Sequence, residues 1–356
     1  MTRTTTRGIS DAMSIPKGAP ADSFVLHAPL ELMARIQLLS YVLAGARQSA
    51  LERIEWLAQK YADAGDAVSP PRIVNDLPDA SALIAAVAAG DLDLVDAMAA
   101  AWLPQWTAVD VAGALGEALV PSLAAAGHSP IGLSLLLRDP SLPTTLLRGP
   151  LRSLAAQPHW RISWHRSVSG DGDAEGLYAA LRAAPQLGRP GSDFIYPLMT
   201  LAVESGEAER LLAPLLSDRY DVQSALRTVT RVAAWSMVHD DQTQAPYGWT
   251  HALTMPQAVL SLAGVGVSER TALAVAGTFA LGFRLAHGTV ELPPVIRPTA
   301  SVATWPELAA EAAQHEDAHL AKFTLACIHA AAADREYEGL YLDAAAHLVQ
   351  WWHDAG

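Results

Sequence analysis

His315-Glu316-Asp317-Ala318-His319, with Lys322 just beyond it, is the stretch of this chain whose residue types and spacing could do chemistry. Read as one apolar helix from Ala312 to His329, it allows two chemistries. His-Glu-x-x-His places two imidazoles one turn apart with a glutamate between them, the pattern that holds zinc and a general base in zinc peptidases. His319-Leu-Ala-Lys322 places an imidazole and an amine one turn apart on one face. The lysine is the less expected residue. Of the 24 Lys and Arg residues only 3 are lysine, and the other two, Lys17 and Lys60, lie in polar surroundings. Lys322 lies between Leu320, Ala321, Phe323 and Leu325. In a chain that otherwise uses arginine for positive charge, this points to amine chemistry.

Three further histidines share that apolar context. His27 follows Phe24-Val25-Leu26 and precedes Ala28-Pro29, just ahead of the first strong helix. His128 precedes the greasy run Ile131 to Leu137 at a helix start, and His251 sits in Tyr247-Gly248-Trp249-Thr250-His251, an aromatic-rich lead into a helix. With His319 they offer four neutral imidazoles on four separate helical segments, which is how helical bundles build core metal sites. A buried lysine has a depressed pKa and is partly neutral. A neutral amine can add carbon dioxide, and the carbamate turns a metal-repelling cation into an anionic oxygen ligand. The ordinary readings stand beside these. Each histidine could be a hydrogen-bonded core residue, and Lys322 could snorkel to solvent or pair with Glu316 or Asp317. His159 and His165, beside Trp160 and Trp164, read as surface residues, and His347 and His353 as structural ones.

Helical periodicity dominates the elements that must position these groups, and alternating strand patterns are nearly absent. Helices are expected near 29–45, 49–64, 79–101, 107–126, 129–138, 144–156, 173–184, 193–204, 206–215 and 219–238. A C-terminal set follows near 254–264, 267–287, 306–333 and 334–353. Pro/Gly clusters at Ser69–Arg72, Ser167–Asp173 and Gly288–Pro306 mark linkers, the last running extended over the surface. The expected architecture is all-α: one large multi-helix, bundle-like domain over 21–356 with a metal site in its core, preceded by a flexible arm over 1–20.

At 356 residues, 51% hydrophobic and 17% charged, the chain can bury a large core. A net charge of −13 and the lack of any Lys/Arg run argue against nucleic acid and anionic membranes as partners. One cysteine, Cys327, cannot form an internal disulfide, so a reducing cytoplasm is the expected compartment. It reads as an inert core residue. The first twenty residues lack the apolar run of a secretory signal, and no segment reads as a membrane span. Neither a phosphate-cradling glycine loop nor a Gly-x-Ser-x-Gly elbow is present.

Taken together, Phe24-Val-Leu-His27-Ala-Pro-Leu30, Trp56 and Tyr61, Ala125-Ala-Gly-His128, Thr250-His251-Ala-Leu-Thr254 and Glu316-Asp-Ala-His319-Leu-Ala-Lys322 give the chain a family likeness. It resembles the questin oxidase-like family of polyketide-tailoring oxygenases, over most of its length and most specifically at His-x-x-Lys. The resemblance implies a mononuclear non-haem iron(II) enzyme that uses dioxygen to open rings of anthraquinone-type aromatic polyketides. It implies His27, His128, His251, His319 and carboxylated Lys322 as ligands.

The expected reaction is oxygen insertion beside a ring carbonyl, or cleavage of a ring carbon–carbon bond. NAD(P)H is a candidate external reductant. The partner is a planar aromatic small molecule, with Trp249 and Tyr247 as the expected stacking surfaces. Two competing readings remain. One is a zinc metallopeptidase using His315, Glu316 and His319; the other is a non-enzymatic α-helical binding protein.

Overall fold

The computed structural model describes residues 3–18, 22–68, 80–168, 170, 175–189, 195–216 and 221–355. Among them there are α-helices and short 3-10 turns, and β-type pairing is confined to isolated bridges such as Ser122 with Arg161. The all-α expectation holds. In chain order the first helices are α1 (Arg3–Met13), α2 (Ser23–Leu38), α3 (Arg47–Asp63), α4 (Ala80–Ala89), α5 (Leu92–Trp102) and α6 (Ala108–Leu119). Then come α7 (His128–Arg138), α8 (Arg148–Ala156), α9 (Glu175–Arg182), α10 (Ile195–Glu204), α11 (Glu207–Leu212) and α12 (Val222–His239). The chain closes with α13 (Thr250–Ser261), α14 (Glu269–His287), α15 (Trp305–Gln314), α16 (Ala318–Ala333) and α17 (Glu338–Ala355).

The centre is built from helices that are apolar all round, the sequence signature of a core helix. In α13 every residue from Thr250 to Leu260 is buried, and in α14 every residue from Thr271 to His287. α13 packs on α7, α12, α14 and α16, and α2 packs on α7 and α16. This places α2, α7, α13 and α16 around one interior volume. No helix of the described residues is long and apolar enough to cross a membrane.

Three expectations change. Within the segment expected as an arm, Arg3–Met13 is helical and packs on α3, with Met13 only 1% exposed. Ile9 and Met13, one turn apart, supply an anchoring pair that a Thr/Arg-rich segment hides. α2 begins at Ser23 rather than Pro29, because the Asp22 side chain accepts from Val25 N at 2.8 Å and caps it. Pro29 lies in the second turn, where it has no N–H to give to the Val25 carbonyl. His27 therefore lies on the helix. The third change is at 306–333, where one helix becomes two. His315 adopts ψ 152°, ending α15, and Asp317 caps α16 by accepting from His319 N at 2.7 Å. As expected, residues 288–304 carry no helix. The Ser69–Arg72 linker lies outside the described residues, as do 169 and 171–174 of the Ser167–Asp173 linker.

Candidate metal centre

Four of the expected ligands meet where α2, α7, α13 and α16 converge. One possible ligand atom from each of His27, His128 and His251 lies within 4.8 Å of the other two. His319 joins through His27, Nε2 to Nε2 at 3.1 Å, with its ring centre 5.0 Å from that of His251. The rings of His27 and His128 meet edge to face at 4.4 Å.

The outer nitrogens decide what the inner ones can be. His27 Nδ1 lies 2.6 Å from the Ser23 carbonyl, one turn back on α2. His251 Nδ1 lies 2.5 Å from the Tyr247 carbonyl, reached through a π-helical turn over Ala245–Trp249. His319 Nδ1 lies 3.2 Å from Asp317 Oδ1. Carbonyl and carboxylate oxygens only accept, so each Nδ1 donates, and each neutral ring must present a lone pair at Nε2. The 3.1 Å approach of His27 and His319 therefore sets two lone pairs face to face. His251 Nε2 and both nitrogens of His128 are buried without a hydrogen-bond partner among the described residues.

Converging imidazoles of this kind could hold a cation at their focus. Burial, and then the nearby charge of Lys322, hold His319 and His251 below the ordinary histidine value, His251 at about 4. Burial lowers His27 and His128 as well. Imidazoles that resist protonation, with the outer nitrogen fixed by a carbonyl or carboxylate, are what metal sites use. Metal–nitrogen bonds of about 2.1 Å at right angles place neighbouring nitrogens about 3 Å apart, which matches the His27–His319 spacing.

His128 is held by local strain. Ala125 and Ala126 adopt φ of 45° and 57°, and Gly127 φ of 82°, so three residues in succession are left-handed just before α7. For alanine this costs about 1–2 kcal/mol per residue. At Gly127 a Cβ would lie 2.7 Å from Met255 Sδ, so only glycine fits. The tight turn starts α7 at His128 and puts Ala125 and Ala126 on the cavity wall.

Lys322 stands one turn beyond His319, 5% exposed, with its pKa lowered to about 8 by burial against the opposing pull of Asp317 and Glu31. It forms no hydrogen bond or ion pair with the described residues and does not line the main cavity. It lines a second, smaller chamber behind the histidine layer. The fifth expected ligand is thus adjacent to the cluster rather than within it.

Trp249 is not a stacking surface for a ligand. It is 1% exposed, turned toward Phe283 and His287 at ring distances of 5.9 and 6.5 Å, and absent from the cavity wall. Two residues earlier in the same π-turn, Tyr247 does line the cavity, 53% exposed, with its ring edge-on to His319 at 5.0 Å. His315 packs on Trp352 at 5.1 Å and accepts from Asp317 N at 3.0 Å. The break between α15 and α16 removes the one-face spacing with His319 that a zinc peptidase helix requires. His165, expected at the surface, is 3% exposed, and Cys327 is fully buried as expected.

Asp317 and Glu31 are the residues that the sequence reading undervalued. Asp317 both caps α16 and orients His319, and an Asp at the start of an apolar helix is a legible cap signal. Substituting Asp317 with alanine should cost about 1 kcal/mol of stability and roughly 10–100-fold in metal affinity. Thermal unfolding and metal titration of the same variant measure the two effects separately.

The cluster opens on a cavity of about 770 Å³, with Phe24, Leu26, Ile195 and Ala318 among its apolar lining and Tyr247 among its polar lining. That is the size and character of a small-molecule site. No family model, curated protein or solved structure matches this chain.

Proposed function

We propose that this chain is a mononuclear non-haem iron oxygenase of the questin oxidase-like kind, acting on a planar aromatic polyketide in natural-product biosynthesis. One observation carries the reading: three imidazoles with anchored Nδ1 atoms, His251 and His319 buried and His27 half-buried, aim their lone pairs inward, beside a fourth, His128, whose nitrogens have no hydrogen-bond partner among the described residues. His27, His128, His251 and His319 would hold the ion. Lys322, once carboxylated, would add an anionic oxygen. All-nitrogen sites of this kind suit iron, copper or zinc, and the resemblance favours iron.

Bound iron(II) supplies the activation of dioxygen. The rest is the work of the chain's own side chains. Ser23, Tyr247 and Asp317 fix three imidazole orientations through Nδ1. Phe24, Leu26 and Ile195 surround the substrate with apolar surface and exclude water from its reacting face. Tyr247 offers a flat wall beside His319, with its hydroxyl available to a ring oxygen of the substrate. The reducing compartment implied by the lone buried cysteine suits an oxidisable ferrous ion, and NAD(P)H remains the candidate reductant.

The test is oxygen uptake by iron-reconstituted protein given anthraquinol-type substrates. Turnover that requires iron and falls at least about tenfold in Tyr247→Ala, about the 1.4 kcal/mol of one lost aromatic contact, is expected. Iron binding without oxygen uptake on any planar quinol would instead favour a binding protein.

A further inference from the structure

Glu31 is the buried charge on the cavity wall that the metal centre does not use. It stands one turn beyond His27 on α2, about 6 Å along the axis, and both residues line the main cavity. α2 runs inward along that wall. Ser23 is exposed, Phe24 and His27 are half-buried, and Glu31 is 1% exposed.

The two oxygens of Glu31 have different surroundings. Oε1 accepts from Arg35 Nε at 2.7 Å and lies 2.6 Å from Arg35 Nη2 and 3.8 Å from Arg53 Nη2. Oε2 accepts no hydrogen bond from the described residues. It keeps contact with open space, and the space that Glu31 lines is the cavity. One oxygen serves the fold and the other faces a ligand. The carboxylate of an ion pair only accepts hydrogen bonds, so the group that satisfies Oε2 must be a donor. An acceptor at this depth is costly to leave empty.

The charge of the wall limits what that donor can be. Glu31, Glu316 and Asp317 line the cavity, and no Lys or Arg does. A ligand that brings a negative charge meets carboxylates there and finds no cationic side chain. An uncharged hydroxyl donates to Oε2 and brings no charge.

We propose that Glu31 is the specificity-determining residue of this cavity: Oε2 accepts a hydrogen bond from an uncharged aromatic hydroxyl of the substrate. The substrate then carries a free hydroxyl, and its methyl ether and carboxylate analogues are rejected. The planar aromatic skeleton rests on the oxygenase reading above; the demand for a hydroxyl donor rests on Glu31.

Calorimetric titration of the full chain without added metal, near neutral pH, tests this with 2-naphthol, 2-methoxynaphthalene and 2-naphthoate. The three share one ring system and differ in the group offered to Oε2. In the wild type the ether should bind at least about tenfold more weakly than 2-naphthol, the loss of one hydrogen bond to a charged group. The naphthoate should be weaker by at least about the same factor, through repulsion. In Glu31→Gln the amide oxygen keeps Arg35 and the amide NH2 takes the place of Oε2. An NH2 donates to an ether oxygen, so the preference for 2-naphthol over the ether should fall to within about threefold. Should that variant not fold, Glu31→Leu with Arg35→Leu removes the carboxylate without leaving a charge unpaired, and should lose the same preference. A Glu31 that only supports the fold would weaken both neutral ligands alike and leave their ratio unchanged. Wild-type protein that fails to bind 2-naphthol, or binds the ether or the naphthoate as tightly, overturns the proposal, and so does an unchanged ratio in the variants. Iron plays no part in this titration, so its outcome separates from the oxygenase reading. Hydroxyl preference in a chain that takes up no iron upholds Glu31 and contradicts the oxygenase; iron-dependent oxygen uptake without that preference does the reverse.

Discussion

Replacing His319 with alanine should lower iron(II) affinity by at least about 100-fold, more than loss of an outer-shell partner alone. His319 is the imidazole whose Nε2 faces that of His27 at 3.1 Å and whose orientation Asp317 sets. Its removal deletes a donor and relieves the approach of two lone pairs at Nε2. His315→Ala is the informative companion. That ring packs on Trp352 and does not line the cavity, so iron affinity should stay within about threefold, as for a change outside the ligand shells. A zinc peptidase site would lose its metal in both variants. Anaerobic iron titration followed by metal analysis measures the difference.

Replacing Arg35 with methionine should destabilise the fold by about 3–5 kcal/mol, the usual cost of breaking a buried ion pair. Arg35 is fully buried, and its Nε donates to Glu31 Oε1 at 2.7 Å. Its other nitrogens donate to the carbonyls of Ala312 and Ala313 at the end of α15, and to that of His315 at 2.6 Å in the break itself. Arg53 adds a bond to the Glu316 carbonyl at 2.9 Å. These bonds hold α15 and α16 apart at the angle that aims His319 inward. The single change leaves Glu31, itself a cavity residue, with Arg53 alone at 3.8 Å. At about 2–4 °C per kcal/mol, Tm should fall by roughly 10 °C. Pairing Glu31→Leu with Arg35→Leu should recover part of the loss, because no unpaired carboxylate remains.

The legible part of this protein was its helical class and the four histidines, and both for the same reason. A 3.6-residue apolar period and a polar side chain in an apolar window are local signals. The break at His315 was not legible because it is imposed from a distance. Residues 306–333 have no proline or glycine after Pro306, and the arginine that stabilises the break lies on α2, 280 residues away from His315. Trp249 misled because aromatic density near a cluster histidine says nothing about direction. The π-turn sends Tyr247 into the cavity and Trp249 into the core. Glu31 and Arg35 carried the same signal as Lys322, charge within an apolar helix, one turn apart. Their pairing makes them structural, whereas Lys322 has no such partner among the described residues.

The four imidazoles are proposed to share one ion. Anaerobic reconstitution with iron(II), followed by metal counting and X-ray absorption at the iron edge, tests it most directly. The expected result is one iron per chain with a first shell dominated by imidazole nitrogen, reduced in nitrogen count when His128 is replaced by alanine. A chain that holds no stoichiometric iron, or holds it with an unchanged shell in that variant, would contradict the site described here.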